Sequence, residues 1–425
     1  MRVESLLIRQ FRNYDEQALT FSTGRNILLG KNGQGKTNLL EALYCLSNSR
    51  SHRTATDRDL LQLGKEFTTV QAVIASHHHQ SLTTLEMQLR LDKAGRMKTL
   101  FKTNGSLVKS RTQVIGILPS VSFFNTDLAL LRGSPSDRRR WLDAAVSQYD
   151  KRHFAIVSAF EKVRKQKSQL LKEGFGKITP EYLSVWNEQF AMASARLIAS
   201  RCAYLKQIKG NTLARYQELC AEREMLNFMY LSFLPFENIE EMLSCASATD
   251  AENALCEAVR TKLEQAAQQE IRRGVCLVGP HRDDICFTLN EMKADSFASQ
   301  GQQRTIVLAL KMAELALLTD KIGEPPILLL DDVMAELDPD RQKYLIRCLS
   351  EEDYQVFLAT THLEAQLNPV VHQYTQEYNA RVFQVASGAI TSNEMLDMSL
   401  DVHLLDSMHS ESSEGQKEVS HELFA

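Results

Sequence analysis

The chain has 425 residues, 44% of them hydrophobic and 24% charged, enough for two or three domains or for one large α/β domain with an insertion. No apolar run reaches transmembrane length, and the opening MRVESLLIRQ lacks the apolar stretch of a secretory leader, so neither a membrane-spanning nor an exported protein is expected. Net charge is −4, but six acids and one lysine fall in the last 25 residues; the rest of the chain is close to neutral, and any nucleic-acid surface has to be a local patch.

In chain order, residues 3–8 and 26–29 read as strands separated by a polar turn region. Gly30-Lys31-Asn32-Gly33-Gln34-Gly35-Lys36-Thr37 then matches G-x-x-x-x-G-K-[ST] and opens a helix pattern over 37–46. Strand, glycine-rich loop and helix in that order make a phosphate cradle. Backbone N–H groups hold the β-phosphate, Lys36 reaches the β and γ oxygens, and the Thr37 hydroxyl can ligate Mg²⁺. Residues 66–75 and 82–91 carry β-type runs joined by SHHHQS. His77, His78 and His79 are poor metal ligands there, because three consecutive side chains at a strand end diverge and no cysteine accompanies them. Eight scattered cysteines without a C-x-x-C pair read as reduced core thiols of the cytoplasm.

From Ser134 to about residue 273 the pattern is almost entirely helical, with loops near 173–180 and 232–250. Ser134-Pro135-Ser136-Asp137 has the residues of a helix start: Ser as cap, Pro in the first turn, an acid at the positive end of the dipole. No heptad pattern is sustained, so long coiled coils are not expected. Arg138-Arg139-Arg140 and Arg164-Lys165-Gln166-Lys167 are the nearest approach to a DNA-binding patch. Successive side chains diverge around a helix, however, and salt-bridged or solvated faces explain such runs equally well.

Strands return at 275–278 and 284–289. The stretch FASQGQQRTIVLAL, 297–310, then places Ser299, Gly301, Gln302 and Gln303 ahead of an apolar helix where one capping Ser would suffice, which suits an anion site. PPILLLDDV reads as a strand buried on both faces. It delivers Asp331, the Mg²⁺ partner either directly or through water, and Asp332, placed to polarise an attacking water. QVFLATTH, 355–362, reads as a further strand, ending at His362. Residues 400–425 are expected to be disordered.

The order of P-loop, S-x-G-Q before a helix, apolar strand ending in acids, A-E-L-D at 335–338 and strand ending at His362 resembles the ATP-binding-cassette ATPases. In that superfamily the S-x-G-Q loop caps the γ-phosphate held by a second subunit. The resemblance implies that Ser299, Gly301 and Gln302 act on a partner's ATP, that Asp338 lies at the dimer seam and that His362 meets the γ-phosphate. LLIRQFRNY (6–14), DLALLRGSPSDRRRWLD (127–143), GPHRDD (279–284), SQGQQRT (299–305) and LLLDDVMAELD further resemble the RecF family of bacterial gap repair, from residue 1 to about 390. One departure is Asn125-Thr126, where that family shows proline and an acid.

The fold implied is α/β: an ABC-type ATPase head with a P-loop α/β core, an antiparallel β subdomain and a helical insert lobe. Its parts would be 1–130 with the P-loop, 131–273 as helical insert, 274–395 with the signature loop and acidic strand, and an acidic tail over 396–425. The activity implied is that of a slow ATPase using ATP and Mg²⁺ as a DNA-binding switch. Implied partners are single-stranded and duplex DNA at gap junctions, a second copy of the chain held by ATP, and the RecR and RecO proteins, in loading recombinase. A transporter ATPase subunit and a non-hydrolysing ATP-gated scaffold are the alternatives.

Overall fold

The computed structural model describes residues 1–54, 56–76, 82–174, 178–220, 224–244, 247–350, 353–362, 372–373 and 380–392. The histidine tract 77–79 and the acidic tail lie outside them.

An antiparallel sheet runs through Tyr14–Thr20, Arg2–Phe11, Phe67–Ala75, Thr83–Leu91, Met97–Thr103 and Ser106–Leu107 in that spatial order. Its period-2 pattern is clear in FTTVQAVIA, where Thr68, Val70, Ala72 and Ile74 are buried and their neighbours are not. Tyr14–Thr20 lies in the stretch expected to be a polar turn. It is an edge strand burying only Tyr14 and Leu19 of YDEQALT, so its hydrophobic signal is weak.

The second sheet has the order Ala389–Ser392, Arg381–Ala386, Arg25–Leu29, Val356–Thr360, Ile327–Asp331, Ser120–Phe123. All neighbours are parallel except the Ala389–Ser392 edge. Ile327–Asp331 is buried on both faces, as its continuous apolar run predicts. Ile327 and Leu329 join the core holding the P-loop helix Lys36–Asn48 and the antiparallel sheet. Leu328 and Leu330 pack with Leu308, Met312 and Leu315 of the helix Gln300–Ile322 and with Leu345 and Leu349 of Pro339–Ser350. The P-loop helix is thus clamped between two sheets, and the helices Gln300–Ile322 and Pro339–Ser350 lie on the opposite side of the second one.

Helices Pro135–Tyr149, Lys151–Glu173, Pro180–Cys220 and Ala248–Arg273 form a second core with a three-stranded antiparallel sheet. The sheet's strand inside 134–273 departs from the almost entirely helical pattern expected there, whereas Asp284–Leu289 is a strand as expected. Leu226–Leu231 is a strand, paired with Asp284–Leu289 so that Phe228 faces Phe287. Six residues inside a helical region offer too short a period to tell, and the pairing partner lies far along the chain. A short helix, Phe236–Leu243, also occupies the expected loop. Residues 275–278 are not a strand. The N–H groups of Leu277 and Val278 are taken by Glu270 Oε1 at 2.7 and 3.3 Å, leaving no ladder to join.

GPHRDD is the joint of this region. Arg138 donates to both Asp284 oxygens at 2.5 and 2.9 Å, Arg139 to Asp283 O at 2.5 Å, and Arg201 to Pro280 O at 2.9 Å while pairing with Asp143 at 2.8 Å. Tyr230 donates to Asp283 Oδ2 at 2.6 Å. Burial pushes Asp283 up to about 6, against the Tyr230 hydrogen bond and the Arg201 charge. The fold therefore holds a proton that the unfolded chain has lost above its ordinary value of 3.8. Between those values stability falls as pH rises, by at most about 1.4 kcal/mol per unit from this group. Asp283→Asn is expected to flatten that part of the slope in denaturant titrations across the window; an unaltered slope contradicts the assignment.

Candidate nucleotide site and signature loop

The strand Arg25–Leu29 feeds the loop 30–35, and the first turn of the helix after it has Gly35 at its cap with no side chain closing the N–H groups. Those donors are left for an anion. Two glycines are required by geometry. A Cβ on Gly30 would sit 2.3 Å from Val385 O, and Gly35, at φ +123°, would put one 2.8 Å from Asn13 Nδ2. The loop is braced from outside. Asn13 Nδ2 donates to Gln34 O at 3.0 Å, Tyr14 to Gly35 O at 3.1 Å, Gly388 N to Gln34 O at 2.8 Å and Ser387 N to Gln34 Oε1 at 2.7 Å. Asn13 and Tyr14 end the string LLIRQFRNY, which gives no hint of this bracing role, and Ser387 and Gly388 lie in no motif.

Lys36 Nζ donates to Gly30 O at 2.6 Å and Lys31 O at 3.2 Å. Burial lowers its pKa, against the charges of Asp332 and Asp331. Thr37 Oγ1 lies 3.0 and 2.9 Å from the two oxygens of Asp331, which joins P-loop and acidic strand across 294 residues of chain. Burial pushes Asp331 up to about 6, aided by Asp332 and opposed by Thr37 and Lys36. Asp332 follows at φ +51°, a strained conformation for a non-glycine residue, with its N–H on Ala359 O at 3.1 Å. Burial raises its carboxyl too, while the charges of Lys36 and the exposed His362 oppose that rise. The Asn125 amide, its nitrogen assigned by these contacts, lies 3.3 Å from Asp331 O and 3.0 Å from Glu336 Oε1. A lysine, a hydroxyl, two carboxylates and uncapped amides in one place suit a polyphosphate with a hard divalent cation.

At the signature loop the excess of polar groups is partly spent internally. Ser299 Oγ accepts from Gln302 N at 3.2 Å while Gln302 Oε1 accepts from Ser299 N at 2.7 Å, a capping box. Gln302 Nε2 donates to Glu224 Oε1 at 2.6 Å, and buried Gln303 donates to Ala294 O and Ala298 O at 3.1 Å. Ser299 and Gly301 remain exposed, and a Cβ on Gly301 would meet only Ser299 Oγ, at 4.0 Å. Among the described residues no hydrogen bond or ion pair joins 299–303 to the P-loop or to Asp331 and Asp332. Asp338 caps the helix Pro339–Ser350, accepting from Arg341 N at 3.0 Å.

A family model described as RecF/RecN/SMC N terminal domain matches residues 2–389. The DNA replication and repair protein RecF of Thermosynechococcus vestitus is 37% identical over 394 residues, covering 92% of this chain and 97% of its own. The chain belongs to the RecF family. RecF of Macrococcus caseolyticus is 34% identical over 395 residues, 92% of this chain and 100% of that one. Among solved structures, that of the recombination mediator protein RecF-ATP in the RecFOR pathway is similar at TM-score 0.79 and 29% identity, over 92% of this chain and 96% of that one. The Smc head domain with an extended coiled coil from Pyrococcus furiosus, 14% identical at TM-score 0.51 over 96% of this chain and 99% of its own, shares the fold alone. Membership in the RecF family sets aside the transporter-subunit alternative. Among the described residues no helix is long and apolar enough to cross a membrane.

Most of the two basic runs is engaged within the protein. Arg138 and Arg139 are engaged with Asp284 and Asp283, and Arg164 pairs with Glu161 at 2.7 Å. Lys167 is fully buried against Glu270 at 2.7 Å. Arg140 is half exposed beside Asp137, and Lys165 is exposed.

Proposed function

We propose that this chain binds ATP with Mg²⁺ between the P-loop and the acidic strand, dimerises around it, and works in the cytoplasm as a slow ATPase that switches DNA binding in recombinational gap repair and replication restart. The observation that carries this reading is the meeting of Thr37 Oγ1 with both oxygens of Asp331 within 3.0 Å. Buried hard-oxygen groups of that kind fit Mg²⁺. Bound there, the metal would neutralise charge on the β and γ oxygens. Residues 30–37 would wrap the phosphates with Lys36 as their cation, Asp332 would take a proton from the attacking water, and His362 would approach the γ-phosphate. Ser299, Gly301, Gln302 and Asp338 would complete the site of a second copy. The similarity to RecF-ATP of the RecFOR pathway supports ATP as nucleotide and RecR and RecO as partners, in loading recombinase at single-stranded gaps.

Ser299→Arg is expected to bind ATP yet stay monomeric, because it blocks only the face offered to the other copy. Asp332→Asn is expected to bind ATP and accumulate as dimer, since its amide cannot accept the proton. Sedimentation with ATP separates these, and a normal dimer from Ser299→Arg overturns the proposal.

DNA should be held chiefly through phosphates, as no base-reading motif is present in the sequence. Affinity is then expected to be insensitive to sequence and to fall by about tenfold or more between ~50 and ~200 mM salt. Gel shifts on gapped, single-stranded and duplex DNA with and without ATP test this, and salt-independent binding counts against it.

A further inference from the structure

The signature helix and the segment carrying Asp338 exchange arginines. From the helix, Arg304 Nη1 donates to Glu336 O at 2.7 Å, and its Nε lies 3.6 Å from Glu336 Oε2. In return Arg341, in the first turn of Pro339–Ser350, donates through Nε to Thr305 Oγ1 at 2.5 Å and forms an ion pair with Asp338. Thr305 is fully buried and passes the contact on, its hydroxyl donating to Gly301 O at 2.8 Å. The donor and acceptor roles balance, since one hydroxyl accepts from Arg341 and gives its proton to Gly301. Gly301, Thr305, Arg341 and Asp338 therefore form one continuous row between the signature loop and the acid after it.

We infer that Arg341 is a positioning residue that sets the signature loop and Asp338 as one unit, so that a second copy's nucleotide meets both together. This rests on the reading of those two stretches as the dimer-facing side of the site. A planar guanidinium can serve a hydroxyl and a carboxylate at fixed geometry, which a lysine ammonium does not reproduce. Arg341 also supplies a charge against Asp338, whose side chain is 43% exposed. Unneutralised, that carboxylate would repel an approaching triphosphate.

The test compares wild type, Arg341→Ala, Arg341→Lys and Thr305→Val. A fluorescent ATP analogue reports binding to dilute protein, and sedimentation with ATP reports dimerisation. Nucleotide affinity of the monomer is expected to stay within about twofold, because Arg341 touches nothing in its own P-loop, while dimerisation weakens by about tenfold or more in Arg341→Ala. Thr305→Val, of the same shape without the hydroxyl, should weaken dimerisation in the same direction, and Arg341→Lys should recover only part. Adding Asp338→Ala to Arg341→Ala should cost less than the sum of the two, as coupled residues do. Dimerisation of Arg341→Ala and Thr305→Val within about twofold of wild type overturns the inference. So does loss of monomer nucleotide binding in step with dimerisation. Should Arg341→Ala fail to fold, Thr305→Val decides alone. A wild type that stays monomeric with ATP overturns the underlying dimer reading instead.

Discussion

Lys36→Ala is expected to lower ATP affinity by about a hundredfold or more while leaving the fold in place. Lys36 is only 4% exposed, and its ammonium stands among carbonyls of the loop and the two carboxylates of the acidic strand. Its loss removes a charge-assisted hydrogen bond to phosphate, about 1.5–3 kcal/mol. It also leaves Asp331 and Asp332 facing an incoming polyanion with no fixed cation between, so the cost at the site exceeds the one bond. The loop itself keeps its shape, because Asn13, Tyr14 and Gly388 hold its backbone independently of the lysine. Calorimetric titration with ATP and a thermal melt of the same sample test both halves. Affinity within about tenfold of wild type would remove Lys36 from the site, and a collapse of the melt would make it structural.

The legible parts of the site were those written in consecutive residues. The P-loop, the capping Ser299 and the acid pair after ILLL each carry their chemistry within a few positions, and the core strand could be read because burial on both faces leaves no alternation. What holds these parts together was not legible. The brace on the loop comes from Asn13 and from Ser387 and Gly388, the last two meeting Gln34 across some 350 residues of chain, and nothing local at 387–388 signals that contact. GPHRDD is recognisable as a string, but its role as a polar joint depends on Arg138, Arg139, Arg201 and Tyr230 arriving from three other elements. The same limit applied to the strand Leu226–Leu231, which exists because Asp284–Leu289 pairs with it. Charge runs were the most ambiguous, because a sequence cannot say which side of a helix is buried when cations sit on both.

Lys167 shows the scale of that ambiguity, and its replacement is expected to be among the most damaging in the chain. In Arg164-Lys165-Gln166-Lys167 only the last member turns inward. There it is fully buried, 2.7 Å from the equally buried Glu270, with its ammonium 4.6 Å from the centre of the Phe190 ring. Glu270 is also the acceptor for Leu277 N and Val278 N, so it fixes the chain leading to GPHRDD. Lys167→Met leaves that carboxylate buried without its cation, which costs about 3–5 kcal/mol, a large share of a typical domain's stability. Adding Glu270→Gln removes the stranded charge but keeps a carbonyl oxygen for the two N–H groups, so the double variant should be more stable than Lys167→Met alone. Lys165→Ala, two residues away on the exposed side of the helix, should leave the unfolding midpoint unchanged. Denaturant titration of the three variants separates a buried pair from a DNA-facing lysine: a DNA contact predicts that Lys167→Met loses binding at full stability. The buried pair predicts that it loses stability, and that whatever DNA binding remains follows the folded fraction.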